Sequence, residues 1–128
     1  MKKPLALVIE DEEDLASIFS RVLDMGKFRC QSVRDGYLAL EQLTLTLPDL
    51  VLLDLHLPHV SGIEILRRIR ANERLTHTRV VVVTADLVKA ETLAHLADAI
   101  LVKPISINQL LETVAHLYPA IPASEDEP

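Results

Sequence analysis

PDLVLLDLHLPHVSG, residues 48–62, places an unbroken aliphatic run, residues 50–53, directly before a carboxylate, Asp54, and follows it with Pro58 and the Ser61–Gly62 pair. Successive strand residues point to opposite faces, so a run with no polar alternate suits a strand covered on both sides, as in a parallel sheet. Three further runs, residues 5–9, 80–83 and 100–102, have the same character. Residues 28–33 instead alternate apolar positions with Arg29 and Gln31, the pattern of a half-exposed edge strand. Five strands are therefore expected.

Helical patterns separate them. Leu15, Ile18, Phe19, Val22 and Leu23 share one helical face, with acidic residues ahead of them and Gly26 as the expected stop. Asp35 is placed to cap a second helix carrying Ala39, Leu40, Leu43 and Leu47, and Ser61 a third carrying Ile65, Leu66 and Ile69. A short Ala-rich fourth helix is expected over about residues 88–96, with Ala90, Leu93 and Ala97 on one face. Ser106 and Gln109 form a capping box ahead of a fifth, with Ile107, Leu110, Leu111, Val114, Leu117 and Tyr118 apolar. Regular alternation of strand and helix calls for an α/β fold, a parallel sheet wound by right-handed crossovers with helices on both faces. Ligands of such sheets bind at the carboxyl ends of the strands, where the winding reverses.

Composition narrows the chemistry. A chain of 128 residues, 49% hydrophobic and 25% charged, builds one domain on an aliphatic core without staples. Residues 1–118 are assigned to that domain, and residues 119–128, with Pro119, Pro122 and an acidic end, to a disordered tail or linker. The formal charge is −6, half of it from Glu125, Asp126 and Glu127, so the folded part is only mildly acidic. Two phenylalanines, two tyrosines and no tryptophan give little stacking surface, which argues against direct nucleic-acid binding. Three isolated glycines exclude a glycine-rich phosphate loop, and the lone Cys30 excludes an internal disulfide or cysteine metal cluster. No apolar stretch is long enough to span a membrane, and the run after Lys2 and Lys3 stops at Glu10 too soon for an export signal, so a cytoplasmic protein is expected.

Chemistry gathers at the ends of the expected strands. Glu10 and Asp11 follow the first, Asp54 the third, Thr84 the fourth and Lys103 the last. Singly, each has a plain reading: a solvated acidic loop, a turn residue, a β-branched strand former, an exposed strand end. Together, three carboxylates in one crevice repel one another unless a proton or cation is held between them. Oxygen ligands alone favour a hard ion such as Mg²⁺. A metal, a hydroxyl, an ammonium and a carboxylate nucleophile are the parts of phosphoryl transfer, with Asp54 attacking in line and Mg²⁺, Lys103 and Thr84 facing the transferred oxygens.

The segments LVIEDEEDL from Leu7, VRDGYLALE from Val33, PDLVLLDLHLPHVSGIEIL from Pro48, VVVTA from Val81 and LVKP from Leu101 carry a family likeness. Over about residues 4–118 the chain resembles a response-regulator receiver domain of bacterial two-component signalling. The resemblance implies a flavodoxin-like (βα)5 sheet of strand order 2-1-3-4-5. It also implies Mg²⁺ on Glu10, Asp11, Asp54 and the His56 backbone carbonyl, with Asp54 as phosphoacceptor, Thr84 sensing the phosphoryl group and Lys103 touching it. A cis Lys103–Pro104 bond is implied as well. The partners it implies are a histidine kinase or phosphotransfer protein and a downstream protein target; dimerisation is left open.

Two departures concern output. Ile100 stands three residues before Lys103, where the family usually has an aromatic, and the stretch from Thr84 to Lys103 is about one helical turn short. They keep alive a degenerate receiver acting as a constitutive interaction module. A remoter rival, an aspartyl-phosphate phosphatase, would want a second aspartate where His56 stands and its nucleophile after the first strand. His56 and His59 are read as loop histidines rather than a metal pair, His56 being placed to influence acyl-phosphate lifetime. Arg67, Arg68, Arg70, Arg74 and Arg79 are read as a solvated helix face, with a docking patch for an acidic partner as the sharper alternative. The expected role is that of a signalling module rather than an enzyme, either free-standing or part of a longer protein.

Overall fold

The computed structural model describes residues 3–118. The expectation for residues 119–128 lies outside them. Strands β1 (Leu5–Ile9), β2 (Arg29–Val33), β3 (Leu50–Asp54), β4 (Arg79–Thr84) and β5 (Ala99–Val102) alternate with helices α1 (Glu13–Met25), α2 (Gly36–Leu45), α3 (Gly62–Ala71), α4 (Leu87–Thr92) and α5 (Ile107–Leu117). A single 3₁₀ turn, Glu73–Leu75, follows α3. The strands form one parallel sheet in the order β2-β1-β3-β4-β5, the doubly wound arrangement expected.

The continuous apolar runs are explained by two cores. Ala6, Val8, Leu50, Leu52, Val81 and Val83 face one side and pack with Phe19 and Leu23 of α1 and Leu110 and Val114 of α5. Leu7, Ile9, Val51, Leu53, Val80 and Val82 face the other and pack with Ala39 and Leu43 of α2 and Ile65, Leu66 and Ile69 of α3. Each fully buried aliphatic side chain contributes roughly 1.5–3 kcal/mol, so the three central strands anchor both layers. β2, at the edge, is exposed at Arg29 and Gln31, as its alternation predicts, and also at Ser32, which breaks the alternation.

Caps fall where the side chains called for them. Asp35 accepts from the Leu38 N–H (2.9 Å), Ser61 from Glu64 (3.3 Å) and Ser106 from Gln109 (3.0 Å). At the end of α1 the expectation needs refinement. Gly26 follows the helix with an ordinary negative φ, and Lys27 takes the left-handed position (φ 76°). Lys27 N–H donates to Asp24 C=O and Phe28 N–H to Leu23 C=O, the paired bonds of a Schellman turn. Three apolar residues placed on buried helical faces are not buried: Ile18 and Ile107 are largely exposed, and Leu47 lies beyond α2. α4 is capped by Asp86 and ends at Thr92, shorter than expected; Ala90 and Leu93 are nonetheless buried. The Cys30 thiol is pushed up to about 11, by burial first and then by Asp24, and donates to the Ser20 carbonyl (3.4 Å).

Polar clasps close the amino-terminal edge of the sheet. The Asp49 carboxylate accepts from Leu5 N–H (2.8 Å), and burial followed by the Asp49 charge and hydrogen bond pushes the Tyr118 hydroxyl up to about 12. Asp98 Oδ2 accepts from both Val80 N–H and Arg70 Nη2, each at 2.7 Å. Arg70 also donates to the carbonyls of Leu96 (2.8 Å) and Thr78 (2.9 Å), so this arginine is a structural tie and not part of a solvated face. Arg74 likewise reaches the carbonyl of Leu43 (3.3 Å). Replacing Asp98 by Ala leaves the Val80 amide and the Arg70 guanidinium short of an acceptor, and is expected to lower stability by about 1–3 kcal/mol in urea unfolding. Arg70→Ala should cost less in that background than in wild type, because only its bonds to the Leu96 and Thr78 carbonyls are then left to lose.

Candidate functional site

The register brings the sequence-predicted residues to one edge. Asp54, the last residue of β3, pairs with Val83, and Thr84, the last of β4, pairs with Val102, which leaves Lys103 just past the end of β5. Glu10 directly follows β1, the neighbour of β3 across the point where the winding reverses, and its N–H still bonds to Val33 C=O of β2 (3.1 Å). Carboxylate oxygens of Glu10, Asp11 and Asp54 lie within 4.8 Å of one another. Glu10 and Asp54 are only 2% and 4% exposed, while Asp11 faces solvent.

Each buried carboxylate is half satisfied. Glu10 Oε2 accepts from Glu12 N–H (3.2 Å), and Asp54 Oδ1 from His56 N–H (3.0 Å). Lys103 Nζ stands 3.2 Å from Glu10 Oε1 and 3.6 Å from Asp54 Oδ2. Glu10 Oε1 nevertheless lacks a hydrogen bond of good geometry despite its burial. Such an oxygen calls for a cation or a proton. Without a metal the surroundings move Glu10 toward its protonated form. Burial, then the Asp54 charge, pushes Glu10 up to about 7 against the opposing pull of the Glu12 amide and Lys103. Burial pulls the Lys103 ammonium down, but Asp54 and Glu10 outweigh it and hold the group above its usual range. An oxygen-only donor set in which a buried oxygen makes no well-formed hydrogen bond fits a hard divalent cation such as Mg²⁺.

Thr84 is fully buried, and its Oγ1 accepts from Asp86 N–H (3.1 Å), the residue that caps α4. The Lys103–Pro104 peptide is cis. Ile100 is half-buried against the core that includes Leu93. The histidines part company: the His56 side chain is exposed, while His59 stacks on Tyr37. Sequence reasoning missed the role of Gly62. A Cβ there would collide with the Asp54 carbonyl and lie 2.5 Å from Leu55 Cα, so only glycine lets α3 begin against the end of β3. Its place immediately after the capping Ser61 was the available signal.

This geometry, a carboxylate triad and a lysine at the carboxyl edge of a five-stranded parallel sheet, defines a class of α/β signalling domain. The chain belongs to the response regulator receiver domain family, which matches residues 6–115. It is similar to the response regulator ArlR of Staphylococcus saprophyticus, 35% identical over 111 residues, 84% of this chain and 49% of ArlR. It therefore spans about half the length of that relative. The polar-differentiation response regulator DivK of Brucella ovis is 31% identical over 84% of this chain and 90% of its own length. Among solved structures, the CheY-like receiver domain from Methylobacillus flagellatus superposes with a TM-score of 0.78 at 28% identity, covering 90% of this chain and 98% of that one. No helix among the described residues is long and apolar enough to cross a membrane.

The raised Glu10 carboxyl makes metal-free stability depend on pH. Its value is about 7 in the folded state against a usual 4.5, so the folded state binds the proton more tightly. Stability is greatest below the lower value and falls as pH rises through this window, by up to about 3 kcal/mol. Urea midpoints measured in EDTA from pH 5 to 8 should decline for wild type and be nearly flat for Glu10→Gln. An equal decline in both would exclude Glu10 as the cause.

Proposed function

We propose that this domain accepts a phosphoryl group on Asp54 from a phosphohistidine of a histidine kinase or phosphotransfer protein, in a Mg²⁺-dependent step, and thereby changes its affinity for a downstream protein. The convergence of Glu10, Asp11 and Asp54 within 4.8 Å carries this reading. Asp54 Oδ1 is occupied by the His56 amide, so Oδ2 is the oxygen available to attack phosphorus. The new P–O bond forms as the P–N bond of the phosphohistidine breaks, and the imidazole leaves with the electron pair and takes up a proton. Hydrolysis later returns the carboxylate and inorganic phosphate.

Glu10, Asp11, Asp54 and the His56 carbonyl would hold Mg²⁺, whose charge offsets that of the phosphoryl oxygens. Lys103, already beside Asp54 Oδ2, would pair with a phosphoryl oxygen as a preorganised cation. Thr84 supports a route to the surface. Its hydroxyl holds the amide of Asp86, so a shift of Thr84 toward a phosphoryl group would release the cap residue of α4. With Ile100 in place of an aromatic, that route runs through α4 rather than through a ring at β5.

Incubation with acetyl phosphate and Mg²⁺, followed by intact-mass measurement, is expected to give a single phospho-adduct on wild type and none on Asp54→Asn. No adduct even with a cognate kinase would favour a constitutive interaction module, and steady turnover of phosphate esters a phosphatase. Mg²⁺ is also expected to raise the melting temperature, because a ligand of the native state alone stabilises it. Asp11→Ala should lose most of that rise; a full rise in this variant would refute the metal assignment.

A further inference from the structure

The loop between β3 and α3 is fastened near Asp54 at both ends. His56 N–H donates to Asp54 Oδ1 (3.0 Å), and Gly62 N–H to Leu55 C=O (3.0 Å). Its middle is fastened to a different part of the chain, the turn between β2 and α2. Gly36 N–H donates to Pro58 C=O (3.0 Å), and a Cβ at Gly36 would collide with the Val60 carbonyl, so the two segments touch backbone to backbone. The Tyr37 and His59 rings stack with centroids 5.1 Å apart and planes 10° from parallel, and His59 Nδ1 lies 4.0 Å from Asp35 Oδ2.

His59 has φ 71°, a left-handed conformation that a non-glycine residue keeps only where its surroundings dictate it. Core burial does not dictate it here, since Tyr37 is 63% exposed and the His59 side chain 56%. Locally, Val60 N–H donates to Pro58 C=O (2.9 Å) and closes a three-residue turn centred on His59; what holds that turn in place from outside is the stack, the nearby Asp35 carboxylate and the backbone contact at Gly36. Each bears on the same loop. That loop carries the amide that fixes one oxygen of Asp54 and leaves the other beside Lys103.

We propose that Tyr37 and His59 form a brace that holds the loop where the His56 amide orients Asp54, making both positioning residues for phosphoryl acceptance. This rests on the phosphoacceptor reading above. In-line attack needs the nucleophile held in a near-attack geometry, and small misplacements are costly in rate. A brace at the loop's midpoint supplies that constraint from outside the crevice, without touching the reacting atoms.

The test uses the full chain as wild type, Tyr37→Ala, Tyr37→Phe, His59→Asn and the Tyr37→Ala/His59→Asn double variant. Asparagine tolerates the left-handed backbone, so His59→Asn removes the ring without adding strain. Three readings are taken: the rate of Asp54 phosphorylation by acetyl phosphate with Mg²⁺, amide exchange at His56 and Gly62 by NMR, and the melting temperature. Tyr37→Ala and His59→Asn are each expected to slow phosphorylation about five- to tenfold and speed His56 exchange, with the double variant no slower than the slower single. Tyr37→Phe should keep the wild-type rate, and melting temperatures should differ little. Wild-type rates and exchange in both single variants, or losses that multiply in the double, would overturn the brace while leaving the phosphoacceptor reading intact. Faster His56 exchange in Tyr37→Ala, alongside a wild type that takes no phosphoryl group, would support the brace and sink the phosphoacceptor reading instead.

Discussion

The whole arrangement turns on two almost wholly buried carboxylates, Glu10 and Asp54, held beside one ammonium at the edge of an otherwise aliphatic sheet. Away from water the charges are poorly screened, so the attraction of Lys103 and the repulsion between the acids are both strong. The upward shift of the Glu10 carboxyl, and the single ammonium shared between it and Asp54, express the same imbalance, an excess of negative oxygen over available donors. Two filled cores tolerate that local cost. β1, β3 and β4 are covered on both faces, and their register fixes where the polar residues that end them must stand.

Much of this is legible in the residues because continuous aliphatic runs have few other solutions. Residues 50–53 and 80–83 read as central strands, and once four such runs and the alternating residues 28–33 interleave with helices, Asp54, Thr84 and Lys103 arrive at one edge. Caps are equally readable, since Asp35, Ser61 and Ser106 each act on the amide three residues on. The family likeness added the strand order and the cis bond at Pro104, which periodicity alone does not supply.

Less legible is whatever depends on partners distant in sequence. Helical spacing placed Ile18, Leu47 and Ile107 inward, but a face is buried only where another layer covers it, and these three lie beyond the covered width. Gly26 suggested the left-handed residue after α1, yet Lys27 adopts it because the Schellman bonds need that position. The arginines around α3 look alike in the sequence. Only the fold separates Arg70, which serves three acceptors, from Arg68, whose partner is Glu64 one turn earlier. Gly62 is a fourth instance, its reason being the backbone of residues 54 and 55 pressed against it.

The Arg70 tie also limits how the domain can bend. By holding the carbonyls of Leu96 and Thr78 and the carboxylate of Asp98, it welds the foot of α3, the entry to β4 and the far end of the α4–β5 connection into one rigid base. The carboxyl-terminal end of that connection is therefore fixed to the body of the domain. The near end of that connection is held differently, by the single bond from the Asp86 amide to the Thr84 hydroxyl, so its two ends are anchored with very unequal numbers of contacts.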